Sequence, residues 1–92
     1  MYSFHPSKQY RKAFKHLARS GRFDAYELEK VLATLATGGI LPSRYANHSL
    51  QGKYSDCFEC HIESDLLLIY KIDTTMQKIA LVRLGSHSDL FR

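Results

Sequence analysis

The stretch Cys57-Phe-Glu-Cys-His-Ile-Glu-Ser-Asp-Leu-Leu-Leu-Ile-Tyr-Lys-Ile72 decides the fold. Its first half, Cys57 to Glu63, alternates apolar and polar residues, which is the pattern of a β-strand with one buried face. Its second half, Asp65 to Ile72, is apolar or aromatic at every position from 66 to 70. Such a run predicts a central strand that the helices cover on one face and that is partly covered on the other. The short link between the two strands favours antiparallel pairing.

Two further strands are predicted. Lys78 to Ser86 has strand character, and Asp73 to Gln77 forms its short connection to the central strand, so we expect an antiparallel meander. Tyr2 to His5 is short and rich in aromatic residues, and Pro6 discourages its continuation. This segment is predicted to be a brief first strand.

Two amphipathic helices are predicted between the first strand and the meander. The first begins after Ser7, a suitable N-cap, and ends at Gly21. The second begins at Asp24 with capping-box spacing to Glu27 and ends at Gly38 and Gly39. The short connection indicates an antiparallel helical hairpin whose apolar stripes must cover another surface. The stripes are Tyr10, Ala13, Phe14, Leu17 and Ala18 in the first helix, and Leu28, Val31, Leu32 and Leu35 in the second.

The elements together predict one α+β domain that spans residues 1–92, with a short N-terminal strand and an antiparallel helical hairpin packed on a small antiparallel sheet. A chain of 92 residues is long enough for one core and too short for two. Its 45% hydrophobic and 24% charged residues exclude a disordered tail. Ile40 to Asp56 shows no sustained period and is predicted to be mostly irregular, with room for one short pairing segment.

Basic residues are concentrated near the N-terminus. The chain has 13 Lys and Arg against 9 Asp and Glu, a net charge of +4, and six of the basic residues lie in the first quarter. Such a stripe attracts a phosphate backbone or an acidic protein, although a solvated helix face is an equally good interpretation. The stripe consists of Lys8, Arg11, Lys12, Lys15, Arg19 and Arg22, and we expect the first four of them to bind a substrate that carries phosphate groups.

The two cysteines do not predict a metal or disulfide site. Cys57 and Cys60 form a CxxC, but strand alternation points their side chains to opposite faces, and no second CxxC exists. We therefore expect reduced thiols, no cofactor and no metal. Met1 to Lys8 lacks an apolar leader and no apolar run approaches membrane length, so the chain is predicted to be cytoplasmic and without a membrane partner.

Polar side chains are predicted to converge on one face of the sheet. Strand alternation places Glu59, His61 and Glu63 together, opposite a core face of Phe58, Cys60 and Ile62. In the last strand it places Leu81, Arg83 and Gly85 opposite Ala80, Val82 and Leu84. His87 falls on the side of Arg83 if the extended geometry continues. Coincidence of the polar faces would form a patch of Glu59, His61, Arg83 and His87.

Such a patch contains the groups needed to cleave RNA by internal attack. The reaction requires a base for the ribose 2′-hydroxyl, a cation for the pentavalent phosphorane and an acid for the leaving 5′-oxygen. Histidine suits both proton transfers, and arginine offers a planar fork to phosphate oxygens. From the residues alone, a solvated or structural role for these side chains is the stronger interpretation.

Three ordered blocks resemble a known family: His48-Ser-Leu-Gln-Gly52, Glu59-Cys-His-Ile-Glu-Ser-Asp65-Leu-Leu-Leu-Ile-Tyr70 and Val82-Arg-Leu-Gly-Ser-His-Ser-Asp-Leu-Phe91. They are similar to YafQ-type toxins of the RelE family. The resemblance implies a RelE-like fold and a type II toxin that cleaves mRNA, usually in the ribosomal A site. It also implies a cognate antitoxin of the DinJ or RelB type, which binds and inhibits the toxin.

The resemblance implies roles for individual residues. His87 matches the general acid and Arg83 the contact to the scissile phosphate. Asp65, His61 and His48 share the role of general base, which stays open among them. Glu59 stands where relatives carry Asp or Glu and could support or replace a histidine as the base, and Phe91 matches the aromatic that positions the target base.

The chain departs from the family pattern at three positions. Relatives commonly carry Arg, Pro and Trp at the positions of Phe58, Ser64 and Leu66, so a phosphate contact and a stacking surface are lost. An inactive RNA-binding or protein-binding module is therefore one alternative, and a ParE-like gyrase poison, which lacks the histidines, is another.

Structural roles are also open for three of the matched residues. His48 could cap the turn at Gly52, His61 could pair with Glu63 or Asp65, and Phe91 could be a hydrophobic latch.

Overall fold

The computed structural model describes residues 1–21 and 23–91, and these form a five-stranded sheet in the order β1-β5-β4-β3-β2 with helices attached. The strands are β1 Ser3–Pro6, β2 His48–Ser49, β3 Phe58–Glu63, β4 Leu66–Asp73 and β5 Lys78–Gly85. The helices are α1 Lys8–Ser20, α2 Ala25–Ala36 and the short α3 His87–Leu90, and 3₁₀ turns cover Ser43–Tyr45 and Gly52–Tyr54. The predicted α+β class is confirmed.

The sheet is mixed because its N-terminal strand pairs in parallel. The pairs β3–β4 and β4–β5 are antiparallel, as predicted for the meander, and β2–β3 is antiparallel as well. β1 runs parallel to β5, from Ser3 opposite Lys78 to Pro6 opposite Leu81. No turn joins these two strands, so the chain imposes no antiparallel direction on them. The sheet was predicted to be antiparallel, and at the β1 edge it is parallel instead. The short pairing segment in the irregular region is β2.

Both long helices begin at the predicted caps. The Ser7 hydroxyl accepts a hydrogen bond from the backbone N–H of Tyr10 and donates one to the carbonyl of Val82 at 2.7 Å, so the same side chain starts α1 and ties it to β5. The carboxylate of Asp24 accepts from the backbone N–H groups of the first turn of α2. α1 ends at Gly21 with φ 74°, a left-handed conformation that glycine adopts without strain.

β4 is buried on both faces, so the face away from the helices is covered more fully than the partial cover that its apolar run predicted. One face joins a core cluster between the sheet and the long helices, called the helix-side core: Tyr10, Leu28, Val31, Leu35, Leu41, Tyr45, Cys60, Ile62, Leu66, Leu68, Tyr70, Ile79, Leu81 and Leu84. The other face joins the far-side core of Cys57, Leu67, Ile69 and Leu90, against which Leu50, Tyr54 and Val82 pack. Each layer of helices or loops therefore has its own apolar contact with the central strand.

The cysteines occupy opposite faces, as predicted. Cys60 lies in the helix-side core and Cys57 in the far-side core, and both are free thiols. Burial raises the pKa of the Cys60 thiol to about 12 and also raises the pKa of Cys57. Buried protonated thiols of this kind are packing residues rather than nucleophiles.

Irregularities in the ladders alter the predicted faces at two points. In β5, Ile69 pairs with Arg83 and the next residue, Tyr70, pairs with Leu81, so Val82 is an inserted residue. Leu81 and Leu84 consequently both face the helices while Val82 packs on the far-side core, and the predicted sharing of one face by Leu81 and Arg83 is wrong.

A second irregularity follows His61 in β3, where Glu63 pairs with Leu66 and His61 with Leu67. The Glu63 carboxylate accepts from the backbone N–H of Asp24 at the start of α2. Glu63 therefore serves the helical layer, and its predicted place beside Glu59 and His61 is wrong.

The extended geometry does not continue to His87. β5 ends at Gly85, and Ser86 starts α3 through a capping box, in which the Ser86 hydroxyl accepts from the backbone N–H of Asp89 and the Asp89 carboxylate accepts from that of Ser86. The buried Leu90 fixes α3 on the far-side core. His87 is therefore placed by a helix, not by strand alternation. Among the described residues, no helix is long and apolar enough to span a bilayer.

Candidate active site

One row of paired residues crosses four strands of the sheet. His48 lies opposite Glu59, Glu59 opposite Ile69, and Ile69 opposite Arg83. Ile69 belongs to the far-side core, so the row marks the sheet face that points away from the long helices. Neighbouring strands are about 4.8 Å apart, which places the backbones of Glu59 and Arg83 about 10 Å from each other.

Glu59 is the charged centre of this row. Its side chain is buried, with the residue only 2% exposed, and one carboxylate oxygen, Oε1, lies 3.3 Å from Nε2 of His48 and 3.6 Å from Nε2 of His61. A carboxylate removed from water needs such partners to offset its lost hydration. Glu59 therefore holds both imidazoles on the same surface, as the strand pattern predicted for His61.

The two histidines are bound differently. Nδ1 of His48 lies 2.8 Å from the carbonyl of Ala46, and because a carbonyl only accepts, this nitrogen carries a proton. His48 is thus oriented between Ala46 and Glu59 instead of capping the turn at Gly52. The side chain of His61 is about a third exposed, at 34%, and its partner is Glu59 instead of Glu63 or Asp65.

Arg83 contacts a residue that the sequence pattern did not single out. Its Nη1 donates a hydrogen bond to the hydroxyl of Tyr54 at 3.1 Å. Tyr54 closes the 3₁₀ turn Gly52–Tyr54 in the region predicted to be irregular, where no periodicity marks a side chain for a role. In the sequence, Tyr54 is marked only as an aromatic residue next to Lys53 in a turn that begins with glycine, and this pattern is a weak indication of a functional role.

His87 and Phe91 approach each other through α3. Their ring centroids are 5.2 Å apart, and the ring of Phe91 meets that of Tyr54 edge-on at 6.1 Å. The carboxylate of Asp65 accepts a hydrogen bond from the backbone N–H of His87 at 3.2 Å. Asp65 thus lies at the start of α3, in contact with the backbone that carries His87.

The predicted site residues therefore form two groups on neighbouring parts of the sheet. The first, His48, Glu59 and His61, is centred on a buried carboxylate. The second joins Arg83 through Tyr54 to Phe91 and His87, with Asp65 behind them. Among the described residues, no three His, Cys, Asp or Glu side chains are arranged so that they could hold a metal ion.

The basic face of α1 adjoins the second group. Lys8, Arg11, Lys12 and Lys15 are all exposed. A groove with a volume of about 660 Å³ runs between α1 and the end of the sheet, and Lys12, Lys15 and Arg83 are among the residues that line it. The basic helix and the arginine of the site therefore border the same channel.

An imidazole pair on a carboxylate, together with a separate arginine and histidine, defines a class of site suited to proton transfer beside a phosphate. Comparison with known proteins gives the family. The model of the YafQ family, described as the bacterial toxin of a type II toxin-antitoxin system, matches residues 2–92. The chain belongs to this family of toxins.

Individual relatives agree with this assignment. The mRNA interferase toxin YafQ of Escherichia coli strain K12 is 35% identical over 86 residues, which cover 92% of this chain and 90% of that protein. A metal-bound toxin from Helicobacter pylori is 44% identical and superposes with a TM-score of 0.91, over 99% of this chain and 100% of that one. YafQ in the DinJ-YafQ complex of E. coli is 29% identical with a TM-score of 0.86, and all of both chains is covered.

Proposed function

We propose that the protein is an mRNA interferase that cleaves RNA by attack of the ribose 2′-oxygen on the adjacent phosphate. The single observation that carries the proposal is the buried Glu59 with one oxygen near both His48 and His61, on the sheet row that also contains Arg83. The name of the E. coli relative, an mRNA interferase toxin, supports the same activity.

The proposed reaction begins with a base from the Glu59 group. The imidazole of His61, whose Nε2 faces Glu59, takes the proton of the 2′-hydroxyl on its other ring nitrogen, and the 2′-oxygen forms a bond to phosphorus. His48 has a proton on Nδ1 and Nε2 against Glu59, so it has no free lone pair for this step. The guanidinium of Arg83 stabilises the charge that develops on the phosphate oxygens. His87 donates a proton to the 5′-oxygen as its bond to phosphorus breaks. The products are a 2′,3′-cyclic phosphate and a free 5′-hydroxyl.

The hydrogen bond that Asp65 accepts suggests that this residue is not the general base. Its carboxylate faces the backbone N–H of His87, so we assign to it the orientation of α3. Phe91, which packs between Tyr54 and His87, is the proposed stacking surface for the target base, and the latch interpretation describes its ring contacts equally well.

The proposed partners follow from charge and from the relatives. The exposed basic residues of α1 bind the phosphates of mRNA and of the ribosome, with the A site as the proposed location. A cognate antitoxin of the DinJ type inhibits the protein, by analogy with the E. coli complex. A segment of opposite charge would complement the basic face.

The products of cleavage test the proposal. Purified protein is mixed with a short RNA and with the same RNA carrying one 2′-deoxynucleotide at the cut site. We expect 2′,3′-cyclic or 3′-phosphate ends from the first and no cut in the second, because the attacking oxygen is missing. Cleavage of the deoxy substrate would contradict the mechanism. Intact mRNA with trapped gyrase–DNA complexes in growing cells would instead indicate a ParE-like toxin.

The involvement of a metal is tested on the same substrate. The proposed steps use only protein side chains, so EDTA should leave the cleavage of a ribosome-free RNA unchanged. The structure of the H. pylori relative is of a metal-bound toxin, which makes the measurement necessary. Loss of activity in EDTA that is restored by a transition metal would contradict a metal-free mechanism.

A further inference from the structure

Tyr54 connects separate parts of the proposed site. Its hydroxyl accepts the hydrogen bond from Nη1 of Arg83 at 3.1 Å, and its ring meets Phe91 edge-on at 6.1 Å. Phe91 in turn lies 5.2 Å from the ring of His87. One side chain from a loop therefore contacts both the arginine on β5 and the aromatic residue that follows α3.

The loop backbone holds Tyr54 in place. The carbonyl of Tyr54 accepts from the backbone N–H of Cys57 at 3.0 Å. Gly52 and Asp56, two residues before and after it, both adopt left-handed conformations, with φ 68° and 71°. The ring packs on the far-side core, and the ammonium of Lys53 lies over it at 5.5 Å from the ring centre. The phenol ring of Tyr54 is thus half-buried, and the loop that carries it is held by backbone hydrogen bonds.

We propose that Tyr54 is a positioning residue for Arg83 in RNA cleavage, an inference that rests on the function proposed above. An arginine recognises a phosphate through the plane of its guanidinium, but its long stem allows many orientations. A hydrogen bond from one N–H group to Tyr54 restricts that plane before the substrate binds. Donors oriented in advance stabilise the transition state without reorganising during the reaction.

The test uses Tyr54→Phe, which keeps the ring on Phe91 and removes only the hydroxyl acceptor. We expect the single-turnover cleavage rate to fall about tenfold, the size typical of one lost hydrogen bond to a charged group. RNA affinity and the thermal unfolding midpoint should stay unchanged. Tyr54→Leu, which also removes the ring contact, should lower the rate further.

A double-mutant cycle separates positioning of Arg83 from a structural role. If Tyr54 acts through the planar fork of Arg83, Tyr54→Phe should add no further loss to Arg83→Lys. The control is Tyr45→Phe, because the Tyr45 hydroxyl also accepts a hydrogen bond from an arginine, Arg44 at 2.7 Å, and donates one to Glu27 at 3.0 Å on the helical side of the molecule. The control should leave the cleavage rate unchanged.

The outcomes distinguish this inference from the function. A wild-type rate in Tyr54→Phe, or losses that simply add to those of Arg83→Lys, would overturn the positioning role while the cleavage activity stands. Failure of the wild-type protein to cleave any RNA, free or on ribosomes, would overturn the proposed function and the role of Tyr54 with it.

Discussion

At the scale of single residues, the site depends on one buried carboxylate. Glu59 is exposed by only 2%, and its Oε1 lies within 3.6 Å of a nitrogen of both His48 and His61. A charge at this depth is tolerated only with partners of opposite charge or with hydrogen-bond donors. The same contact that stabilises Glu59 orients the imidazoles, so stability and the proposed chemistry are linked at this residue.

Replacing Glu59 by Gln should separate these effects. The amide has nearly the same shape but carries no charge, so the imidazoles lose the carboxylate that orients them. We expect cleavage to fall by about 10- to 100-fold while the protein remains folded. Single-turnover rates and circular dichroism measure the two effects. Glu63→Gln is the control on the same strand, and an equal loss of cleavage in it would contradict a special role for Glu59.

His87 gives a second residue-scale prediction. Removing the proposed proton donor in His87→Ala should lower single-turnover cleavage by about 100-fold or more, with little change in RNA binding. Growth arrest on expression should disappear as well. The control is His5→Ala, because His5 is exposed and its ring contacts Ser3, away from the site. Full activity of the His87 variant would show that another group protonates the leaving oxygen.

At the scale of elements, α3 determines where the proposed acid lies. The helix has only four residues and is held by the Ser86 capping box, by Asp65 at its first backbone N–H and by the buried Leu90. A helix this short has almost no stability of its own. Its position therefore depends on these tertiary contacts.

Loss of the Ser86 cap should loosen α3. An N-cap hydroxyl contributes about 1 kcal/mol, so Ser86→Ala should raise backbone hydrogen exchange in residues 87–91 and reduce cleavage several-fold. Ser86→Asp supplies another good N-cap and should restore most of the activity. If the Asp variant were no more active than the Ala variant, the cap would not be the cause.

The α1 helix gives the second prediction at this scale. Lys12→Glu with Lys15→Glu should weaken RNA or ribosome binding and reduce the slope of log affinity against log salt by about 1 to 2 units, since fewer counterions are released. Lys71→Glu with Lys78→Glu changes the net charge equally on exposed strand positions and is the control. If both pairs of substitutions weakened binding equally, the effect would come from the net charge of the protein and not from the basic face of α1.

At the scale of the whole molecule, buried ionisable groups link stability to pH. Tyr10, Tyr70 and Cys60 lie in the helix-side core, and burial raises the pKa of each to about 12, from 10.0 for the tyrosines and 9.0 for the cysteine. The folded state therefore keeps these groups protonated at pH values where the unfolded chain loses their protons. Their contribution is complete below about pH 9 and is lost as pH rises towards 12.

Urea unfolding between pH 8 and pH 11 tests this dependence. We expect the midpoint to fall with rising pH, and to fall less steeply in Tyr70→Phe, which removes one of the titrating groups from the core. Tyr26→Phe is the control, since the side chain of Tyr26 is exposed. The same pH dependence in the Tyr70 variant and the wild type would mean that Tyr70 does not titrate differently on folding.

The sequence by itself determined most of the elements, because their signals are local. Apolar periodicity and caps at Ser7 and Asp24 identified the long helices, and the run from 66 to 70 identified the central strand. The pairing of Glu59 with His61 on one sheet face followed from alternation. The family also followed from the sequence, since its motifs are ordered blocks of local residues.

Only the tertiary structure decided the parallel pairing of β1, the inserted Val82 and the partners Tyr54 and Asp65. Strand direction and insertions depend on contacts between segments that are distant in the chain, and alternation counted along one strand cannot detect them. The helical placement of His87 is an intermediate case. Ser86 and Asp89 have the spacing of a capping box, but the strand pattern before them led to the prediction that the extended geometry continues to His87.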